Sequence, residues 1–211
     1  MNARRVHYKP KVISVSELIA SAGYYGHFDE PYPADPGYHR VKGTWAGDCA
    51  DLMAQGFEPN VAESLRLVAF NHSTWDVSRW PGFVEAYRSW LGMLDAGGSL
   101  IETQRYRYSE IEALQGTADQ LWLLPQPSTH AGIVRLDIKC MEEGPVAKVT
   151  ELQLGLYDLM DNVRATWFLG LALHPDGTCR ETWWRPFQAC QDARLAIRGY
   201  HRVFGPETRY R

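Results

Sequence analysis

The 211-residue chain has only four cysteines, Cys49, Cys140, Cys179 and Cys190, spread along the sequence with no Cys-x-x-Cys pair. A disulfide scaffold would be denser in cysteine, and a structural zinc site would pair its ligands more closely, so neither is indicated. Reduced thiols, and hence a cytoplasmic protein, are expected. No run approaches the ~20 consecutive apolar residues of a membrane span, so no membrane contact is expected. The opening Met1-Asn2-Ala3-Arg4-Arg5-Val6-His7 is basic, but no apolar stretch follows it as in a secretory signal. Repeats, low-complexity tracts and Ser/Gly linkers are absent too, which leaves one domain over residues 1–211. Walker A, GxGxxG, HExxH and GxSxG motifs are all missing, so the commonest nucleotide-binding and hydrolase signatures are excluded.

What is present is an ordinary globular composition, 45% hydrophobic and 22% charged, enriched in Trp (8) and Tyr (11). Such aromatics fill cores, and their polar handles also suit recognition surfaces. The net charge of −3 is unevenly placed. Residues 1–12 form a basic N-terminal arm of +4, from Arg4, Arg5, Lys9 and Lys11. Residues 179–211, with seven Arg against Glu181, Asp192 and Glu207, also carry +4, leaving −11 for the 166 residues between. Basic ends around an acidic body can clasp an anionic partner or neutralise the protein's own middle. The cations are mostly Arg, seventeen against five Lys, and Arg is the better fork for phosphate or carboxylate.

Periodicity predicts an α+β fold: a helical N-terminal half, then a three- to four-stranded antiparallel sheet covered by a C-terminal helix. Ser14 and Glu17 make a capping box ahead of Leu18-Ile19-Ala20. The proline-rich residues 26–37 read as irregular, and Asp48 as the cap of a short helix to Ala54. Asn60 and Glu63 open a helix to about Phe70, and Pro81 opens another with Phe83, Tyr87, Trp90 and Leu94 on one stripe. Beyond residue 131 the period changes to two. Val134, Leu136, Ile138 and Cys140 alternate with Arg135, Asp137 and Lys139, as in a strand buried on one face. Residues 146–154, 163–173 and 179–185 read as further strands, the last two joined at His174-Pro175-Asp176-Gly177. A final helix from Pro186 carries Cys190, Ala193, Ile197, Tyr200 and Phe204 on its apolar stripe.

On that helix Arg194, Arg198 and Arg202 share an arc of roughly 80°, taking about 100° per residue, with no acid placed among them. Together with Arg180, Trp183, Trp184 and Arg185 they form an Arg- and aromatic-rich region. It suits a binding or accessory protein that meets an anionic surface, either nucleic acid or an acidic protein. A second constellation is nucleophilic. Cys49 in Gly47-Asp48-Cys49-Ala50-Asp51-Leu52 reads as lying near a helix start, where the macrodipole lowers a thiol pKa, and His130 opens His130-Ala131-Gly132-Ile133-Val134. Over fewer than twenty residues these segments resemble NlpC/P60-type thiol amidases, in which the cysteine follows Asp and the histidine precedes Gly-Ile. The resemblance implies a papain-like hydrolase using Cys49 and His130, with Asp137, Glu142 or Glu143 as the open choice of third residue. Ala50-Asp51 departs from the small residues that pattern expects. A third possibility is a structural subunit of an oligomer. His27-Phe28-Asp29 with Asp35 and His39 has the residue types of a metal set but sits in a loop, so no metal or cofactor is assigned. His72-Ser73-Thr74 lacks the second His-x-Thr that a two-histidine phosphoesterase needs.

Overall fold

The computed structural model describes residues 12–21, 36–94 and 97–204. Among these, the chain runs β1 (Ile13–Ser14), α1 (Val15–Ser21), α2 (Pro36–Ala54), α3 (Val61–Asn71), α4 (Pro81–Met93), β2 (Ser99–Ser109), β3 (Leu114–Leu124), β4 (Gly132–Cys140), α5 (Val149–Met160), β5 (Trp167–Leu173), β6 (Cys179–Trp184) and α6 (Pro186–Phe204). Local chemistry sets several of these boundaries. The Glu17 amide donates to Ser14 Oγ at 3.0 Å, capping α1, and the Glu63 amide donates to Asn60 Oδ1 at 3.2 Å, capping α3. Pro81 occupies the first turn of α4, where its missing N–H costs nothing. No helix among the described residues is long and apolar enough to cross a membrane.

The strands form one mixed sheet in the order β2-β3-β4-β5-β6, with β1 lying parallel to the start of β3. β4 and β5 are parallel and joined through α5; the β2-β3, β3-β4 and β5-β6 pairs are antiparallel. Helices cover both faces. Trp45, Trp80, Phe83, Tyr87 and Trp90 from α2 and α4 pack on Trp122, Leu136, Leu169 and Leu171. On the opposite face Leu18, Leu152, Leu156, Ala193 and Ile197 from α1, α5 and α6 meet Leu114 and Ala118. One detail positions the site. β4 pairs with β3 only along Gln120–Leu124, while β1 pairs with Leu114 and Gln115, so the two central strands part near residue 119.

This architecture corrects the expected fold. The sheet has six strands and both pairing senses, not three or four antiparallel ones, and helices lie on both of its faces. The largest change is at residues 146–154, expected as a strand but forming the start of α5. Thr150, Leu152 and the whole run Leu154–Met160 are buried, so α5 shows no polar face from which a helical period could be read. The β2-β3 hairpin escapes notice for the opposite reason, being rich in Glu, Arg, Gln and Thr. α2 starts at Pro36, so Asp48 is no cap and part of the stretch expected to be irregular is helical; residues 22–35 lie outside the described residues. α6 shares its face of the sheet with α1 and α5.

Candidate functional site

Where β3 and β4 part, a cavity of about 520 Å³ opens, lined by residues including His39, Lys42, Asp48, Asp119, Lys139 and Cys140. Strand alternation places Arg135, Asp137 and Lys139 of β4 on the face covered by α5. Arg135 is partnered there: it reaches Asp158 at 3.4 Å, Asp161 at 3.0 Å and the Val163 carbonyl at 3.1 Å. Asp137 is not. It is 1% exposed, and Lys139 Nζ lies 2.6 Å from its Oδ2, yet neither carboxylate oxygen accepts a hydrogen bond of proper geometry among the described residues.

Asp119 of β3 stands beside this pair. Its Oδ2 accepts the Ile138 amide at 2.8 Å, taking the place of the β3 partner that β4 has lost. Burial and then the charge of Asp137 push the Asp119 carboxyl up to about 7. Asp137 is likewise raised, by burial. Burial works against the Lys139 ammonium, but Asp137 and Asp119 more than offset it and hold the lysine charged. Tyr157 of α5 borders the group. Its hydroxyl accepts from Gln153 Nε2 at 3.1 Å, and burial and the nearby Asp137 charge raise its pKa.

A second buried network fixes β3 on the other side of residue 119. Gln120 Oε1 accepts from Tyr87 Oη at 2.7 Å and Trp122 Nε1 at 2.9 Å. Both donors together orient the amide so that Gln120 Nε2 donates to Asp51 Oδ1 at 2.9 Å, which Thr103 also reaches. Lys42, whose side chain is 2% exposed, pairs with Glu142 at 3.2 Å, and Arg79 reaches the same carboxylate.

Asp119 and Lys139 line the cavity and are part-exposed, while Asp137, which pairs with Lys139, is buried and does not line it. Like charges that close repel, and a divalent ion relieves the repulsion. No three His, Cys, Asp or Glu side chains among the described residues are grouped to hold a metal by themselves. A cation here would therefore complete its shell with backbone carbonyls, water or substrate oxygens, which is how Mg²⁺ is usually held.

The structure distributes the sequence-derived candidates elsewhere. Cys49 lies well inside α2 and is 4% exposed, not at a helix start. Burial and then the Asp48 charge push its thiol up to about 11. His130 precedes β4 at the opposite end of the strand from Lys139. It stacks on Trp183 with centroids 3.9 Å apart and meets Trp167 edge-on at 4.7 Å. No hydrogen bond joins Cys49 and His130 among the described residues. Trp183 also donates its indole N–H to Glu181 at 2.9 Å, and Trp184 packs against Gly170. The Arg185 guanidinium lies 3.4 Å from the centroid of the Trp167 ring. Arg180, Arg185, Arg194, Arg198 and Arg202 are all exposed, and the three α6 arginines make no ion pair with any described residue. His39 does line the cavity, but His27, Phe28, Asp29 and Asp35 lie outside the described residues.

Sequence reasoning reaches Asp137 only as one choice of third residue beside Cys49 and His130, and does not reach Asp119 or Lys139 as site residues. The available signal was an Asp and a Lys two residues apart on a strand whose other face is apolar.

No protein-family model matches the chain, and no curated protein matches it. The chain is similar to a solved structure described as the crystal structure of SSO0001, at 14% identity over 97% of this chain and 81% of that one, with a TM-score of 0.40. A likeness that weak carries no argument about function.

Proposed function

We propose that this chain is a divalent-cation-dependent hydrolase of phosphodiesters, and that the anionic partner expected from its arginines is a nucleic acid. The observation that carries this reading is cavity-lining Asp119 beside buried Asp137 and its partner Lys139 at the parting of β3 and β4. A Mg²⁺ ion held there would polarise a phosphoryl oxygen and lower the pKa of a bound water. Asp119 and Asp137, ionised, would hold the cation, which would offset the push of the Asp137 charge on Asp119. Lys139 neutralises Asp137 in the structure as it stands. With Asp137 engaged by a cation, the ammonium would be free to donate to a non-bridging oxygen of the phosphate. Water would add to phosphorus and give up a proton to solvent, one P–O ester bond would break, and the departing alkoxide would take a proton from solvent. The cavity supplies further cationic groups, Arg40 and Lys42, on the α2 side. This chemistry needs no thiolate, in keeping with a Cys49 held protonated.

The test is cleavage of a labelled oligonucleotide with MgCl₂ or MnCl₂. Cleavage should vanish in EDTA and fall at least about a hundredfold in Asp119→Asn and in Asp137→Asn, the scale of losing a principal transition-state contact. Mn²⁺ binding by calorimetry should be lost in the same variants. Cleavage that persists in EDTA, undiminished activity of Asp137→Asn, or no Mn²⁺ binding to the wild type would each overturn the reading.

A further inference from the structure

The outer face of α6 is an uncommitted cationic surface. Phe187, Arg194, Leu195, Arg198 and Arg202 are all exposed, with Phe187 at 73% and Leu195 at 63%. Arg194, Arg198 and Arg202 recur every fourth residue, so they are separated by about 6 Å along the helix axis. That is close to the separation of successive phosphates along one strand. None of the three pairs with a described carboxylate, although the chain as a whole is acidic. At the head of the helix, Arg185 over Trp167 adds a cation–π stack beside the His130–Trp183 pair. At its far end, Tyr200 donates to Glu17 of α1 at 3.0 Å, and the preceding residue, Ser16, lines the cavity.

We infer that the Arg194–Arg198–Arg202 row of α6 is a backbone-docking track for a nucleic-acid strand. The inference rests on the phosphodiesterase reading and adds to it the surface that holds the substrate. Evenly spaced arginines act mainly through phosphates, so the track contributes affinity and little sequence preference.

The experiment measures binding of a fluorescein-labelled single-stranded 20-mer by anisotropy, in EDTA, as a function of salt. The double variant Arg198→Glu/Arg202→Glu should bind at least tenfold more weakly, with unchanged melting temperature. Its log–log salt slope should be shallower by about 1.4, the value for two single-strand phosphate contacts. Should the reversal lower the melting temperature, Arg198→Gln/Arg202→Gln is read in its place and should show the same weakening. Unchanged affinity and slope would overturn the track. So would tighter binding of polyglutamate than of the oligonucleotide, which would mark the surface as one for an acidic protein. The two proposals fail separately. Oligonucleotide binding through the arginines with no divalent-dependent cleavage sinks the hydrolase and leaves the track. Cleavage with unaltered kcat/KM in the double variant does the reverse.

Discussion

At the residue scale, burial raises the pKa values of Cys49 and Asp119 alike, with opposite consequences for chemistry. A thiol pushed up to about 11 holds its proton at neutrality and gives up its role as nucleophile. A carboxyl pushed up to about 7 stays within reach of ionisation, and a cation beside it completes the change. Cys49 should therefore alkylate with iodoacetamide at pH 7.5 more slowly than a free thiol of pKa about 8.5. Mass spectrometry across a pH series checks this, and a Cys49 thiolate titrating below pH 8 would contradict it. The sequence lets Cys49 be noticed and Asp119 be missed because a thiol carries a recognisable label. Asp119 gains its character only from the parting of two strands. Asp137 and Lys139 were legible as positions on β4, but their face was read as solvated. That reading assumes a sheet covered on one side; with helices on both sides, the charged face of β4 is interior.

At the element scale, α6 shows what periodicity can and cannot deliver. Its apolar positions Ala193 and Ile197, spaced by four, are buried as the pattern demands, and the helix spans Pro186–Phe204. The starts of α1, α3 and α4 likewise follow from Ser14, Asn60 and Pro81, although α3 buries none of its residues fully. α5 does not announce itself, since a helix buried on all sides has no polar stripe to set its period. It lies so close to α6 that a Cβ on Gly155 would come within 2.5 Å of the Ala189 carbonyl oxygen. Ile197, 5% exposed, sits in the core that α1, α5, α6 and β3 share. Replacing it with Asp removes apolar contacts and buries an unpaired charge. The expected cost is at least about 3 kcal/mol, comparable to large-to-small core changes. For a chain of this size that lowers the melting temperature by roughly 6–12 °C. A calorimetric melt of Ile197→Asp within 2 °C of the wild type, a margin of about 1 kcal/mol or less, would show that α6 does not pack as described.

For the whole molecule, the raised carboxyls of Asp119 and Asp137, which Lys139 offsets only in part, are a liability that shows as a pH dependence of stability. A carboxyl whose folded-state pKa is raised binds its proton more tightly in the native chain than in the unfolded one. Its stabilising contribution is complete below the unfolded value near 3.8 and is lost as pH rises through about 7. Asp137 and Asp51, both raised by burial, act in the same direction. Asp161, which burial pushes up but the Val163 amide and Arg135 pull below its ordinary value, exerts its effect only at lower pH. Lys139 stays charged throughout the window. Without divalent ions, the melting temperature should therefore fall between pH 5 and pH 8. Mg²⁺ or Mn²⁺ binds the ionised pair and not the protonated one, so saturating cation should raise the melting temperature more at pH 8 than at pH 5. Asp137→Asn removes one of the two opposed charges, and so should flatten the apo pH profile and abolish the cation's effect. Differential scanning calorimetry across pH, with and without MnCl₂, measures all three. A flat apo profile, or an equal cation increment at both pH values, would mean that the acid pair neither titrates in this window nor binds the ion.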